Sequence, residues 1–156
     1  MRKSTRRKPS RGDGGRERFD DFLPHLIARL AYQLHLDLVE KLRQEGINAT
    51  RWRILAVLAM GDGITVNEIT DRAMLQQSAL SRALMKMEQE RYLRRVSGVG
   101  DGRYVEVFLT DKGRALFNSL NIVVRRRQDR LLQGFSQLER QAALRLMRRL
   151  GRNMAG

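Results

Sequence analysis

The chain is expected to be mainly α with a small β-hairpin, and three observations predict that class. Apolar residues recur at three- and four-residue steps over most of its 156 residues, the period of helices with one buried stripe. Thr65-Val66-Asn67-Glu68 has the spacing of a capping box, in which a hydroxyl and a carboxylate each satisfy a free backbone donor at a helix start. Near residue 107, Val105, Val107 and Leu109 alternate with other residues at period two beyond a glycine-rich tip, as in the second strand of a hairpin. Hydrophobic residues make up 42%, enough for the core of one domain over residues 19–156 but too little chain for two enzyme domains.

The elements follow in order. Residues 1–18 hold eight basic and two acidic side chains and no periodic apolar positions, so they bury too little surface to offset their ordering entropy. A disordered basic arm is expected, either a solubilising tail or an arm that adds phosphate or minor-groove contacts to a nucleic acid. From residue 20 to about 43, Leu23, Leu26, Ile27, Leu30, Leu34, Leu38 and Leu42 form one stripe, with Asp20, Asp21 and Pro24 at its start and Gly46 past its end. That stripe is longer than a small core requires, so part of it is expected to face another chain. Asn48 can cap the next helix, whose buried face is Trp52, Ile54, Leu55, Leu58 and Ala59 before Gly61-Asp62-Gly63 ends it.

The capping box then opens a short helix over residues 66–73. Met74 and Leu75 make a turn, and a second helix runs from about 77 to 90. On it Leu80, Ala83, Leu84 and Met87 share one face, while Gln77, Ser78, Ser81, Arg82, Met85, Lys86 and Gln89 share the other. The hairpin follows, with Gly98, Gly100 and Gly102 supplying the backbone angles of a tight tip. Gly98-Val99-Gly100 is not a dinucleotide fingerprint, which must lie between a strand and a helix. Thr110 can cap a helix from 111 toward 132, with Leu116, Leu120, Val123, Val124 and Leu131 apolar. Ser136 can cap a last one through Leu138, Ala142, Leu146 and Leu150. Arg125, Arg126, Arg127 and Arg130 read either as a solvated face or as a site for an anion or the DNA backbone.

A capped short helix, a helix with a polar outer face and a glycine-tipped basic hairpin, in that order, are the layout of a winged helix-turn-helix, here spanning about 48–110. Charge agrees with that layout. The formal net charge is +14, of which the arm carries +6 and the rest of the chain +8, so a polyanion is the expected partner, nucleic acid first and an anionic membrane second. Gln, Ser and Arg on a helix face suit base edges, since Arg can donate two bonds to guanine, Gln two to adenine, and Ser can serve either; Lys86 suits phosphate. Arg103 sits where a wing can enter the minor groove, and Asp101 can hold and aim it by a charge-assisted bond. The expected DNA-binding set is Gln77, Ser78, Ser81, Arg82, Lys86, Arg95, Asp101 and Arg103.

Absences bound the alternatives. Without cysteine, disulfides, thiolate metal sites and cysteine-based redox sensing are excluded. No apolar run approaches a membrane span, so a soluble cytoplasmic protein without membrane association is expected. No HExxH, GxSxG or P-loop occurs and there are two His, so no catalytic residue, metal ligand or cofactor is proposed and the chain does not read as an enzyme. The rival reading is a basic protein that coats nucleic acid without regard to sequence.

Ile47-Asn48, Trp52, Leu55, the 65–73 helix, Ser78-x-x-Ser81, Met87-Glu88, Leu93-x-Arg95, Asp101-x-Arg103 and Leu109-Thr110-Asp111-Lys112-Gly113 together resemble the MarR family of bacterial and archaeal regulators. The resemblance spans residues 20 to about 150. It implies a homodimer joined through helices at about 20–44 and 111–154, with two reading heads on the halves of a near-palindromic operator in double-stranded DNA. It also implies a small, often aromatic or lipophilic, ligand that changes operator affinity, most commonly by relieving repression. Arg29 and Tyr32 fall at first-helix positions that line ligand pockets in similar proteins, with His25 and His35 nearby. Two features depart from the family. Arg91 stands where a glycine usually ends the recognition helix, so that helix is expected to end differently here. The family's redox-sensing branch uses cysteine, so a ligand rather than an oxidant is the expected signal.

Overall fold

Two side-chain caps and a glycine turn fix the local frame of the helices that follow the first. In the computed structural model, residues 22–97 and 105–155 are described. Their elements are α1 (Leu23–Gln44), α2 (Ala49–Met60), β1 (Ile64–Thr65), α3 (Val66–Ala73), α4 (Gln77–Gln89), β2 (Leu93–Ser97), β3 (Val105–Leu109), α5 (Asp111–Leu131) and α6 (Gln137–Ala155). The chain divides into two compact units, one ending at Asp37 and one beginning at Leu38. In the first, α1 exposes Leu23, Leu26, Ile27, Leu30 and Leu36.

The second unit starts with the close of α1 and the cap of α2, where Asn48 Oδ1 accepts from the Arg51 N–H at 2.9 Å. At α3 the capping box forms in full: the Glu68 N–H donates to Thr65 Oγ1 at 3.3 Å, and the Thr65 N–H donates to Glu68 Oε2 at 2.9 Å. That backbone bond, with the Thr65 hydroxyl, holds the Glu68 carboxyl below its ordinary value. Ser136 caps α6 in the same way. Its N–H donates to Glu139 Oε2 at 2.8 Å, completing a second box that the sequence reading had credited to Ser136 alone.

Caps contribute about 1 kcal/mol each, whereas a fully buried Leu, Ile or Met contributes about 1.5–3 kcal/mol, so the shared core dominates. It joins Leu42 of α1, Trp52, Ile54, Leu55 and Leu58 of α2, Ile69 of α3, Leu80, Leu84 and Met87 of α4, Leu93, Val107 and Leu109 of the strands, and Leu120 of α5. Trp52 also stacks on Phe117 of α5, with ring centroids 5.5 Å apart. Helix α6 contributes no buried residue.

The sheet is antiparallel in the order β1-β3-β2, with Ile64 opposite Val107 and Leu93 opposite Leu109. Strand β1 is absent from the sequence reading, because two residues carry no period. The preceding turn creates it. Gly63 takes φ +74 and its N–H donates to the Val107 carbonyl at 3.0 Å, while Asp62 Oδ1 accepts from the Leu109 N–H at 2.8 Å. A Cβ at Gly63 would lie 2.8 Å from the Phe108 ring, so this turn favours glycine on both counts.

The different helix ending expected at Arg91 is not found. Arg91 adopts φ +60, the conformation a glycine would take, and α4 closes with the Tyr92 N–H on the Met87 carbonyl at 2.8 Å and the Arg91 N–H on the Glu88 carbonyl at 2.9 Å. The start of α5 compensates. Thr110 Oγ1 donates to the Arg91 carbonyl at 2.6 Å, Lys112 Nζ to the Glu90 carbonyl at 2.9 Å, and the Thr110 N–H to the Tyr92 carbonyl at 3.2 Å. Three bonds at about 1 kcal/mol each outweigh a left-handed residue at about 1–2 kcal/mol. Gly113 permits the approach, since a Cβ there would fall on the Tyr92 carbonyl oxygen.

Candidate nucleic-acid interface

Helix α4 is held by its apolar face and shows its polar face. Leu80, Leu84 and Met87 are buried and Ala83 half-buried, packed with α2 and the strands. Gln77, Ser78, Ser81, Arg82, Met85, Lys86 and Gln89 are all exposed. The two faces separate as the period demands. At the N-terminus of α4 the cap residue Gln76 makes no side-chain bond, so the first-turn N–H groups have no side-chain acceptor. The turn from α3 is tight because Met74 takes φ +50, with the Leu75 N–H on the Thr70 carbonyl at 3.1 Å. Among the described residues, Arg82 and Lys86 form no ion pair.

Arg95 stands differently. Its N–H donates to Glu88 Oε1 at 3.1 Å and its Nε to Glu88 Oε2 at 2.8 Å, and its Nη2 pairs with the same carboxylate. The Arg95 guanidinium holds the Glu88 carboxyl below its ordinary value, and Glu88 in turn raises Arg95. The last turn of α4 is thereby tied to the first wing strand. Next to it, the Arg94 guanidinium lies 4.4 Å from the centroid of the Phe108 ring. Asp101 and Arg103, at the expected wing tip, lie outside the described residues, as does the basic arm.

A cleft of about 480 Å³ opens beside Lys86 and is lined also by Val39, Arg43, Ile47, Ala49 and Arg51. Arg51 pairs with Glu90, and its guanidinium lies 5.7 Å from the centroid of the Tyr92 ring. Arg43 and Arg51 are not among the residues expected from the sequence; their signal there is the pair of basic residues flanking the Asn48 cap. In the first unit, His25 is half-buried and Arg29, Tyr32 and His35 are exposed, Tyr32 at 63%. On α5, Arg125, Arg126 and Arg130 are exposed and Arg127 is half-buried. Among the described residues no group of three His, Cys, Asp or Glu is placed to hold a metal, and no helix is long and apolar enough to cross a membrane.

The elements from α2 to β2 lie within residues 45–103, which match the model of the MarR family. A crystal structure of a MarR-family transcriptional regulator from Silicibacter pomeroyi is 31% identical and superimposes with a TM-score of 0.78, over 86% of this chain and 90% of that one. This chain belongs to the MarR family. MarR proteins are transcriptional regulators with a winged helix, and regulation rather than catalysis is the work of the family. Among MarR relatives, the homoprotocatechuate degradative operon repressor of Escherichia coli is 25% identical over 108 residues, 69% of this chain and 68% of that protein. The fold is shared, at 18% identity and a TM-score of 0.66 over 81% of this chain and 98% of the other, with BpsR of Bordetella bronchiseptica, whose DNA binding is regulated by 6-hydroxynicotinic acid.

Proposed function

We propose that this MarR protein is a homodimeric, sequence-specific repressor that binds a near-palindromic operator in double-stranded DNA and is released by a small aromatic or lipophilic ligand. The observation that carries the reading is the outer face of α4. Four side chains able to tell base pairs apart stand exposed on a helix anchored from behind. Gln77, Ser78, Ser81 and Arg82 are assigned to base edges and Lys86 to phosphate, with Asp101 and Arg103 on the wing. The Glu88 clamp on Arg95 sets the angle at which that wing leaves the helix.

Dimerisation is supported by the exposed apolar side chains of α6, Leu138, Leu144, Leu146 and Met147, and by those of α1. Release by a ligand is supported by the regulation of BpsR by an aromatic acid and by the operon named for the Escherichia coli repressor. His25, Arg29, Tyr32 and His35 are assigned to that ligand, and the site of action is the cytoplasm.

The test is a titration against DNA from upstream of its own gene, with excess unrelated competitor at near-physiological salt. A reader holds one site roughly a thousandfold or more over bulk DNA and protects half-sites about one helical turn apart. Equal loss of binding with every competitor, and no sequence enriched from random DNA, would overturn this reading in favour of a nonspecific coat.

A further inference from the structure

We infer that Met85 is a specificity-determining residue that reads the C5-methyl group of a thymine in each operator half-site. The inference rests on the sequence-reading function proposed above and adds to it the one apolar contact that the reading face can make.

Leu80, Leu84 and Met87 fix the inward direction of α4. At about 100° per residue, Met85 lies within about 50° of the opposite direction, beside Ser78, Arg82 and Gln89. It is 51% exposed. Its neighbours one turn away are Ser81, Arg82, Gln89 and the half-buried Glu88, all polar, so no apolar side chain of that face covers it. The other exposed methionines have a different setting. Met60 ends α2, Met74 is the left-handed cap of α3, and Met154 lies in the last turn of α6. Met147 is as exposed as Met85 but lies on α6 one turn from the apolar Ala143, Leu144 and Leu150. Met85 is an isolated apolar group on an otherwise polar working face.

A half-exposed thioether forfeits much of the favourable free energy of burial until something apolar covers it. The edge of a base pair in the major groove consists of donors and acceptors, which a thioether meets poorly, with one apolar exception, the methyl group of thymine. An unbranched side chain with three rotatable bonds can reach that methyl without demanding one rotamer. Along the helix, Ser78, Arg82, Met85 and Gln89 are spaced over about 16 Å, roughly five base steps of the groove, so Met85 addresses a position of its own rather than one already taken by Arg82.

The experiment first selects an operator from random DNA with the wild-type protein. It then replaces each thymine in turn by 2′-deoxyuridine, which removes the methyl and keeps the base pair. At one thymine per half-site, uracil is expected to weaken wild-type binding about threefold to tenfold. Met85→Ala is expected to weaken the thymine operator by a similar factor and to show no further loss with uracil there, while Met85→Leu keeps the methyl dependence. Unchanged melting temperatures would confirm that an exposed position has been altered without harm to the fold. The inference is overturned if no thymine shows a methyl effect, or if Met85→Ala feels every uracil as the wild type does. If random DNA yields no enriched sequence at all, the sequence-reading function itself falls, which is a distinguishable result.

Discussion

Helices α4 and α6 are both amphipathic, yet they are finished in different ways. Helix α4 spends its apolar face inside its own chain, on Leu80, Leu84 and Met87, and leaves a polar face exposed. Helix α6 has no fully buried residue; Leu138, Leu146 and Met147 stand exposed on the same broad face as the half-buried Ala142 and Leu150. Exposed apolar groups gathered on one face of a helix meet water unfavourably, a cost that the buried apolar face of α4 avoids. Helix α4 is fixed by packing within its own chain, whereas the apolar face of α6 stays partly exposed.

The largest expected effect breaks the support of α4. Gly113→Ala drives a methyl into the Tyr92 carbonyl and separates α5 from the end of α4, for a loss of about 3 kcal/mol or more and a melting temperature lowered by roughly 10 °C. A melting temperature within a degree or two of wild type would show that this joint has slack. Next, Leu146→Glu addresses the other helix. It is expected to leave the melting of the α2–α4 core intact while sedimentation shifts to the 18.1 kDa monomer and operator affinity falls about a hundredfold through lost bivalency. A wild-type protein that already sediments as a monomer would break the contrast between the two helices.

Arg82→Ala sharpens the comparison from the reading side. A lost base contact costs about 1–3 kcal/mol and should change the preference at one operator position, measured by competition among single-base variants. A uniform loss across all variants would make Arg82 a phosphate contact. The smallest effect concerns the clamp. Because the folded-state value of Glu88 is depressed, its stabilisation is fully present above the ordinary value of 4.5 and is lost as pH falls through the lower folded value. The difference in melting temperature between wild type and Glu88→Gln should therefore be constant near neutrality and shrink below about pH 4.5. The stabilisation behind that difference is at most about 1 kcal/mol, since both side chains are partly solvated. A difference that grows toward acid pH would contradict the clamp.

Much of this was legible in the residues because it rests on local chemistry. Caps at Asn48, Thr65, Thr110 and Ser136 need side chains at fixed offsets, and the two faces of α4 follow from a 3.6-residue period. What escaped depends on residues distant in sequence. Strand β1 exists because β3 pairs with it, and the left-handed Arg91 is tolerated because Thr110 and Lys112 satisfy the carbonyls beside it. The pairing of Arg95 with Glu88 escaped too, because Glu88 lies on α4 and the turn between them brings the two side chains together. The motif Leu109-Thr110-Asp111-Lys112-Gly113 was read as a family signature, and its physical content, a helix start bolted to the end of another helix, became visible through distances alone.

The pairing of Ile64 with Val107 encloses α3, α4 and β2 within one closed loop of chain. Closing a loop of that length is entropically slow compared with forming any helix inside it, so the parts of the reading head form locally before they acquire fixed positions. During synthesis the sequence of α4 emerges well before that of β3. A nascent chain, or one cut short ahead of Val105, therefore carries every residue of α4 without the third strand and the helix start that fix its direction, and the exposed polar face of that helix acquires its fixed position late in the life of the polypeptide.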